Sequence, residues 1–171
     1  MNASETMRKI IELQDIIKSN PMEDKEDIRK FYKDIMKMIY DYKMIGRIYD
    51  YYTEDMEFYR DRRTYSKNVE DFLNEIMRFT AAFPDLKANI DDTVVCRDGD
   101  GWKIAARINF RGTNLGKSYM GPATGKTLGE NSLAIHFSYL KKINGQWKIY
   151  RVIQANGLEH IENTMKPNYS N

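Results

Sequence analysis

The hydrophobic period of the chain changes near Pro84, and this change limits the folds that the chain can adopt. Before Pro84, apolar residues recur at helical spacing. The longest such stripe comprises Ile28, Phe31, Tyr32, Ile35, Ile39, Tyr42 and Ile45. After Pro84, apolar and polar residues alternate, most clearly over residues 102–110, as is typical of half-buried strands. Helices followed by a run of strands predict an α+β fold and not an alternating parallel sheet.

Three helices are predicted ahead of the strands. The first covers residues 7–18. The second carries the long stripe and is predicted to begin with Asn20 as N-cap and Pro21 at the first helical position. The third begins near Ser66 or Asn68, the latter with Asp71 at capping spacing, and Pro84 ends it.

The strands are predicted to form an antiparallel meander. A brief strand over residues 56–59 ends in a charged loop at 60–63. Along residues 86–96, the pattern places five residues on one face, which are Leu86, Ala88, Ile90, Val94 and Cys96. Asn144-Gly145 predicts a hairpin between strands at 132–142 and 146–155.

The stretch at residues 107–126 begins as a strand and continues through a polar loop that contains Gly116, Gly121 and Gly125. Glycine permits positive φ and close backbone approach, so the segment is interpreted as the bent rim of a curved sheet, or as a long hairpin loop without a ligand. Residues 121–127 end like a phosphate-binding loop. However, that motif needs four residues between its glycines and a following helix, and neither is present in the sequence pattern.

Charge and composition exclude several function classes. The net charge of +2, from 27 basic and 25 acidic residues, gives no electrostatic case for nucleic acid. Two histidines and Cys96 make no metal-binding spacing, and a lone cysteine fits a reducing compartment. No apolar run reaches the roughly 20 residues that a membrane span needs. We therefore expect one cytoplasmic domain over residues 1–171, with no membrane, nucleic-acid or metal partner.

Four segments resemble the SnoaL-like polyketide cyclase family of the nuclear transport factor 2-like superfamily. They are residues 48–61, residues 81–95 with Phe83-Pro84-Asp85, the strand with Arg107 that ends in 111–117, and residues 121–126. The resemblance covers roughly residues 35–160 and leaves residues 1–20 as an added N-terminal helix. It implies a cone-shaped α+β roll of cystatin-like type, in which a curved antiparallel sheet wraps around the N-terminal helices. It also implies a homodimer formed through the outer face of the sheet.

The resemblance further implies an acid/base carboxylate in the last strand that closes a ring by an aldol step, without metal or cofactor. In this chain, Gln154 stands where the first of two acids would be, and Gly157 or Asn156 stands at the second. An amide has no titration near neutral pH and cannot take up the proton. This departure argues against the family's cyclase step.

The candidate catalytic residues are His136 and Asn156. His136 lies in an alternating strand and would serve as a general base if it faces a cavity, because its ordinary pKa is near roughly 6.5; otherwise it bonds a neighbouring strand or faces solvent. Asn156, Gln154 and Asn109 are polar residues in or next to strands. If they point inward, they must be hydrogen-bonded or meet a ligand.

Three aromatic residues are candidates for ligand binding: Tyr52, Tyr59 and Trp102. Each would line a cavity for a flat apolar ligand, or simply belong to the core. Arg107 matches an arginine that recurs in the family's strand, and its alternative role is pairing with an acid on a neighbouring strand.

Two hypotheses for function follow. The first is a protein that binds a small apolar or polycyclic organic molecule and, if it is an enzyme, acts as a cofactor-independent cyclase or isomerase. The second is a non-catalytic dimeric ligand-binding or scaffold module of the same fold.

Overall fold

The computed structural model describes residues 2–60, 63–129 and 132–156, together with Ile161 and Met165; the side chains at 63–65 and 156 lie outside this description. The helices are α1 (Ala3–Ser19), α2 (Lys25–Met36), α3 (Ile48–Tyr51) and α4 (Val69–Ala82), with a π-helical turn at Lys37–Asp41 and a 3-10 turn at Ile45–Arg47. The strands are β1 (Tyr52–Arg60), β2 (Arg63–Ser66), β3 (Lys87–Asp98), β4 (Gly101–Arg111), β5 (Leu133–Ile143) and β6 (Gln146–Asn156). None of the described helices is long and apolar enough to cross a membrane.

The start of α2 differs from the prediction. Asp24 is the N-cap, and it forms a capping box with Asp27, since each side chain accepts a hydrogen bond from the other residue's backbone N–H. Asn20 instead ends α1, and its side-chain oxygen accepts a hydrogen bond from the N–H of Met22. The expected N-cap at Asn20 was therefore wrong, because a carboxylate four residues later satisfies the free N–H groups of the first turn.

The stripe on α2 is buried as expected, but the helix does not run unbroken to Ile45. After Met36 the chain forms the π-helical turn, and Lys43 then adopts a positive φ of 58°. The Lys43 ammonium group bonds the backbone oxygens of Tyr40 and Leu86. This cation therefore anchors the end of the helical segment to the start of β3.

Helix α4 matches the prediction at both ends. Asn68 is its N-cap and accepts a hydrogen bond from the N–H of Asp71 at 2.8 Å, and the helix ends at Ala82, two residues before Pro84. The face that it buries includes Val69, Phe72 and Ile76. These residues pack towards β1, which places α4 over one end of the sheet.

The six strands form one curved sheet in the order β2-β1-β6-β5-β4-β3. Helices α2 and α4 lie on its inner face, α2 against β3 and β4 and α4 against β1 and β2. This confirms the predicted α+β roll. One pairing differs from the expected antiparallel pattern: β1 is parallel to β6, so the sheet is mixed. Strand β1 is also longer than predicted, because it begins at Tyr52, directly after α3.

The face predicted for β3 is correct only at the beginning of the strand. Ala88 and Ile90 pack against the core, but a bulge between Ile90 and Asp92 shifts the register. Beyond it, Val95 is 4% exposed whereas Val94 is 63% exposed, and Cys96 is also exposed. Because side chains alternate along a strand, one extra residue moves every later side chain to the other face.

Strands β4, β5 and β6 follow the predicted pattern. The inward residues of β4 are all buried: Trp102, Ile104, Ala106, Ile108 and Phe110. Asn144 and Gly145 join β5 to β6 with φ values of 50° and 82°, as a two-residue type I′ hairpin requires. These three strands therefore provide the floor of the inner face, with one register shift between β5 and β6 at Tyr139 and Leu140.

The loop between β4 and β5 is held against the end of α4. The Asp85 carboxylate accepts hydrogen bonds from the N–H of Thr113 at 2.7 Å and from its hydroxyl at 3.0 Å, and these bonds lower the pKa of Asp85. The side chain of Asn114 donates to the backbone oxygen of Ala82, as does the N–H of Gly116. Gly116 is required there, since a Cβ would lie 1.7 Å from the carbonyl oxygen of Ala81.

The remainder of this loop has no phosphate-loop geometry. Thr113 pairs with Thr127, and the N–H of Leu128 donates to the oxygen of Gly112, so the loop closes on itself as a wide hairpin. Residues 121–127 lead towards β5 and not into a helix. The loop thus acts as the bent rim of the sheet, and it places Tyr119 next to the inner face.

Candidate functional site

A cavity lies between the inner face of the sheet and α4. Its free volume is about 40 Å³. That volume holds about three water molecules. The described residues that line it are Tyr40, Phe58, Arg60, Phe72, Glu75, Ile76, Phe79, Phe110, Tyr119, Ala134, His136, Gln154 and Ile161.

Three polar residues cross the floor of this cavity as one row. Arg60 of β1 is opposite Gln154 of β6, and Gln154 is opposite His136 of β5. Neighbouring strands lie about 4.8 Å apart, so the row spans about 10 Å from Arg60 to His136. We call Arg60, Gln154 and His136 the polar row. It is surrounded by the aromatic rings of the cavity wall.

His136 is buried, with 6% of its surface exposed. Its Nδ1 lies 3.4 Å from the Tyr32 hydroxyl, which also accepts a hydrogen bond from the hydroxyl of Ser138 at 3.4 Å. The arrangement in which Tyr32 donates to Nδ1 gives the buried phenol proton an acceptor, while Ser138 donates to the phenol oxygen. We therefore assign the His136 tautomer with hydrogen on Nε2. That Nε2 has no hydrogen-bond partner among the described residues.

The environment of His136 keeps its ring neutral. Burial, and secondarily the positive charge of Arg60, lower the pKa of His136 from 6.5 to about 4. Burial also raises the pKa of Tyr32 far above its ordinary value, so its phenol stays protonated. At neutral pH, His136 is consequently a weak base, and the group that it offers to the cavity is the Nε2–H donor.

Arg60 and Glu75 form an ion pair in the cavity wall. The Nη2 of Arg60 lies 3.8 Å from Oε2 of Glu75, and both side chains are 15% exposed. Glu75 also pairs with Arg78 at 3.2 Å, but Arg78 is 63% exposed and does not line the cavity. The Arg60 guanidinium lies over the ring of Phe58, 5.3 Å from its centroid. The cavity therefore combines one buried cation and one carboxylate with an apolar wall.

Two of the residues predicted from sequence, His136 and Gln154, meet in this cavity. Asn156 is two residues beyond Gln154 on β6 and is opposite Ala134. Its side chain lies outside the described residues. Gly157, the alternative position for the family's second acid, lies outside them as well.

The other predicted residues lie away from the cavity. Tyr52 is buried against Phe72, with ring centroids 5.2 Å apart, and Trp102 is buried under Arg97 at the opposite end of β4. Tyr59 and Asn109 alternate with residues of the inner face, so they lie on the outer side of the sheet. None of the four lines the cavity, and their binding role stays a prediction.

Arg107 has a structural partner. Its guanidinium lies 3.4 Å from a carboxylate oxygen of Asp91, a residue of the neighbouring strand β3. Pairing with an acid on a neighbouring strand is the predicted alternative to a functional role for Arg107. Both side chains are partly exposed, so the contact contributes little to stability.

Sequence reasoning missed Arg60, Glu75 and Tyr119 as cavity residues. Arg60 was predicted to lie in a charged loop. Glu75 is one of several acidic residues on α4, where the sequence pattern marks only the apolar face. No local pattern marks Glu75, since only the packing of α4 over β1 brings it to Arg60. Within the described ranges, no cluster of three or more metal-ligating side chains is found.

A sequence profile described as SnoaL-like polyketide cyclase matches residues 26–155. Among curated proteins, no sequence is significantly similar to this chain. The profile match covers both the polar row and the loop that carries Tyr119. It starts one residue after the beginning of α2, so α1 lies outside it.

Solved structures with the same fold are distant in sequence. A candidate polyketide cyclase from Acidithiobacillus ferrooxidans is 13% identical, with a TM-score of 0.56, covering 84% of this chain and 96% of that one. A nuclear transport factor 2-like protein from Cytophaga hutchinsonii is 12% identical, with a TM-score of 0.57 and coverage of 78% and 98%. A candidate SnoaL-like polyketide cyclase from Jannaschia sp. CCS1 is 11% identical, with a TM-score of 0.53 and coverage of 71% and 77%. At such identities, the likeness shows the fold alone.

Proposed function

Because the chain belongs to the SnoaL-like polyketide cyclase family, we propose that it binds a small organic molecule in the cavity over the polar row. The observation that carries the proposal is the buried Nε2–H of His136, which has no partner among the described residues and sits beside Gln154. A buried donor without a partner costs free energy unless a ligand or water satisfies it. The aromatic wall supplies contact for the apolar body of that molecule.

The polar row is suited to holding a carbonyl oxygen. The Nε2–H of His136 and the side-chain amide of Gln154 both donate hydrogen bonds, and two such donors would stabilise negative charge on an enolate oxygen. His136 would act as a donor and not as a general base, because its pKa lies well below neutral. If the protein is an enzyme, the reaction that fits is a cofactor-independent isomerisation or cyclisation through an enolate, in which the Glu75 carboxylate of the cavity wall would take the α proton and return it to the product.

The cavity must widen to admit such a molecule, because its free space holds only about three waters. Tyr119 is the wall residue with the most exposed ring, at 52%. It is carried by the rim loop and not by the sheet. Because about half of its surface is already exposed, we propose Tyr119 as the side chain that yields to the ligand.

The test uses two probes of matched shape, methyl naphthyl ketone and isopropenylnaphthalene, a hydrocarbon in which a CH2 group replaces the carbonyl oxygen. We expect calorimetry to show saturable binding of the ketone, weaker binding of the hydrocarbon, and a loss of about threefold to tenfold for the ketone in His136→Phe, as one hydrogen bond contributes. Tyr59→Phe, on the outer face, is the matched control and should bind like the wild type. Equal affinity for both probes, or no binding of either, would contradict the proposal.

A second candidate function rests on the outer face of the sheet, where β5 and β6 carry Ile135, Phe137, Tyr139 and Ile153. Ile135 is 44% exposed, and the Lys103 ammonium lies over the rings of Phe137 and Tyr139 at 5.6 and 5.0 Å. Apolar and aromatic residues in one exposed patch are typical of interfaces. We propose that a second copy of the chain covers this face. A dimer with a cavity filled by its own aromatic rings would then be a non-catalytic module.

Sedimentation velocity separates this candidate from a monomeric protein. We expect a dimer at micromolar concentration, and a monomer for Ile135→Arg, because the substitution places an unpaired charge within the interface. Met77→Arg is the control, since Met77 is exposed on α4, away from the outer face of the sheet. A monomeric wild type, or a dimer that Ile135→Arg leaves intact, would refute the interface.

A further inference from the structure

The charged residues of the cavity indicate what kind of molecule it takes. Among the described lining residues, Arg60 is the sole cation and Glu75 the sole anion. Both are 15% exposed, so they interact through a medium of lower dielectric constant than water. Arg60 stands at one end of the polar row, and the hydrogen-bond donors of Gln154 and His136 follow it. A ligand that lies along the row therefore meets a guanidinium at one end.

Arg60 can exchange Glu75 for the carboxylate of a ligand without leaving Glu75 as an unpaired buried charge. Arg60 and Glu75 are 3.8 Å apart, longer than the roughly 2.8 Å of a charge-assisted hydrogen bond. Glu75 has a second cationic partner, Arg78, at the shorter distance of 3.2 Å. If Arg60 turned to a ligand acid, Glu75 would keep Arg78. The exchange would replace a loose contact with a two-pronged one, because a guanidinium matches the geometry of a carboxylate.

We propose that the ligand is an aromatic carboxylic acid, whose carboxylate binds Arg60 while its ring lies against Phe58, Phe72 and Phe79. This inference rests on the proposed function, since it concerns the same cavity. It adds the ligand's charge and orientation: the acid points towards β1, and any carbonyl or hydroxyl oxygen points towards His136 on β5. An uncharged ring system of the same size would occupy the cavity without using its one buried cation.

The row also limits the ligand's length. Arg60 and His136 are separated by two strand spacings, about 10 Å. The guanidinium and imidazole groups project towards the ligand from each end and shorten that distance. One or two fused rings span the remaining distance between the guanidinium and imidazole groups. A longer ligand would have to leave the cavity past Tyr119.

The experiment compares naphthoate with naphthamide, which have the same ring and differ in the charge of one group. We expect the wild-type protein to bind naphthoate roughly tenfold to a hundredfold more tightly than naphthamide, as a hydrogen bond to a charged group contributes. Arg60→Gln should abolish this preference. Arg107→Gln is the matched control, because its guanidinium pairs with Asp91 outside the cavity, and it should preserve the preference.

Glu75→Gln gives an independent measurement in case Arg60→Gln does not fold. It removes the anion that competes for Arg60, so naphthoate should bind several times more tightly while naphthamide stays unchanged. Equal binding of acid and amide by the wild type, or weaker binding of naphthoate by Glu75→Gln, would overturn the inference. In either case, binding of methyl naphthyl ketone would show that the proposed function itself stands. Failure of all three probes would refute the proposed function.

Discussion

Acidification tests the state of His136 directly. Its ring is buried, and the described groups around it are the Tyr32 phenol on α2, the Arg60 cation on β1 and, across the cavity, Glu75 on α4. Burial and the Arg60 charge lower its pKa from 6.5 to about 4. In the unfolded chain the ring would regain its ordinary value. Between these two pKa values, the unfolded state therefore binds more protons than the folded state.

The direction in which pH changes the stability follows from this difference in proton binding. Stability rises with pH wherever the unfolded state binds more protons, so the contribution is fully present above pH 6.5 and is lost as the pH falls towards about 4. A shift of this size corresponds to about 3 kcal/mol when the loss is complete. Between pH 7 and pH 5, we expect His136 alone to lower the free energy of unfolding by about 2 kcal/mol.

Urea unfolding at several pH values measures this loss. Carboxylates also titrate in the range, so the readout is the difference between His136→Gln and its parent. Both should carry His160→Gln, which leaves His136 as the sole histidine of the parent. We expect the double variant to lose about 2 kcal/mol less than the parent between pH 7 and pH 5. Equal losses in the two proteins would refute a buried, neutral His136.

Three further substitutions and one control test the scaffold. Gly116→Ala should destabilise the protein by about 2 kcal/mol or more in chemical denaturation, because its Cβ would overlap a carbonyl of α4 and detach the rim loop. Gly129→Ala is the control and should change stability by less than about 0.5 kcal/mol, because no atom lies within 4 Å of the added Cβ. Asn68→Ala removes the N-cap of α4 and should lower stability by about 1 kcal/mol. Ile104→Ala, at a fully buried position, should lower it by about 2 to 5 kcal/mol, and a change below 1 kcal/mol would contradict its place in the core.

The elements that could be predicted are those whose signals are local. Asn68 with Asp71 marked the start of α4, and the alternation in β4 gave its buried face, because capping and side-chain period depend on neighbours within a few residues. The bulge in β3 could not be predicted. It arises from how β3 pairs with β4, and nothing in the sequence around Ile90 marks the extra residue.

The residues of the candidate site also fall into those that a local pattern marks and those that only tertiary packing brings together. His136 was predicted from its place in an alternating strand, and Gln154 from the family resemblance, which implies an acid at its position; the direction of both side chains was left open. Arg60 and Glu75 were missed because they are 15 residues apart on a strand and a helix, and their contact depends on α4 crossing β1. Tyr59 was predicted to bind the ligand, but its neighbour Arg60 lines the cavity instead. Because side chains alternate along a strand, a difference of one residue places the side chain on the opposite face of the sheet.

The sequence by itself determined the order of the main helices and strands, and it places an amide at position 154, where the resemblance implies an acid. Hydrophobic period, caps and turn residues act over a few residues, so they can be read along the chain. Only the tertiary structure decided that β1 runs parallel to β6, which aligns Arg60 with Gln154 and His136. The register of non-neighbouring strands and the docking of α4 depend on the whole core, and they determine which charges face the cavity.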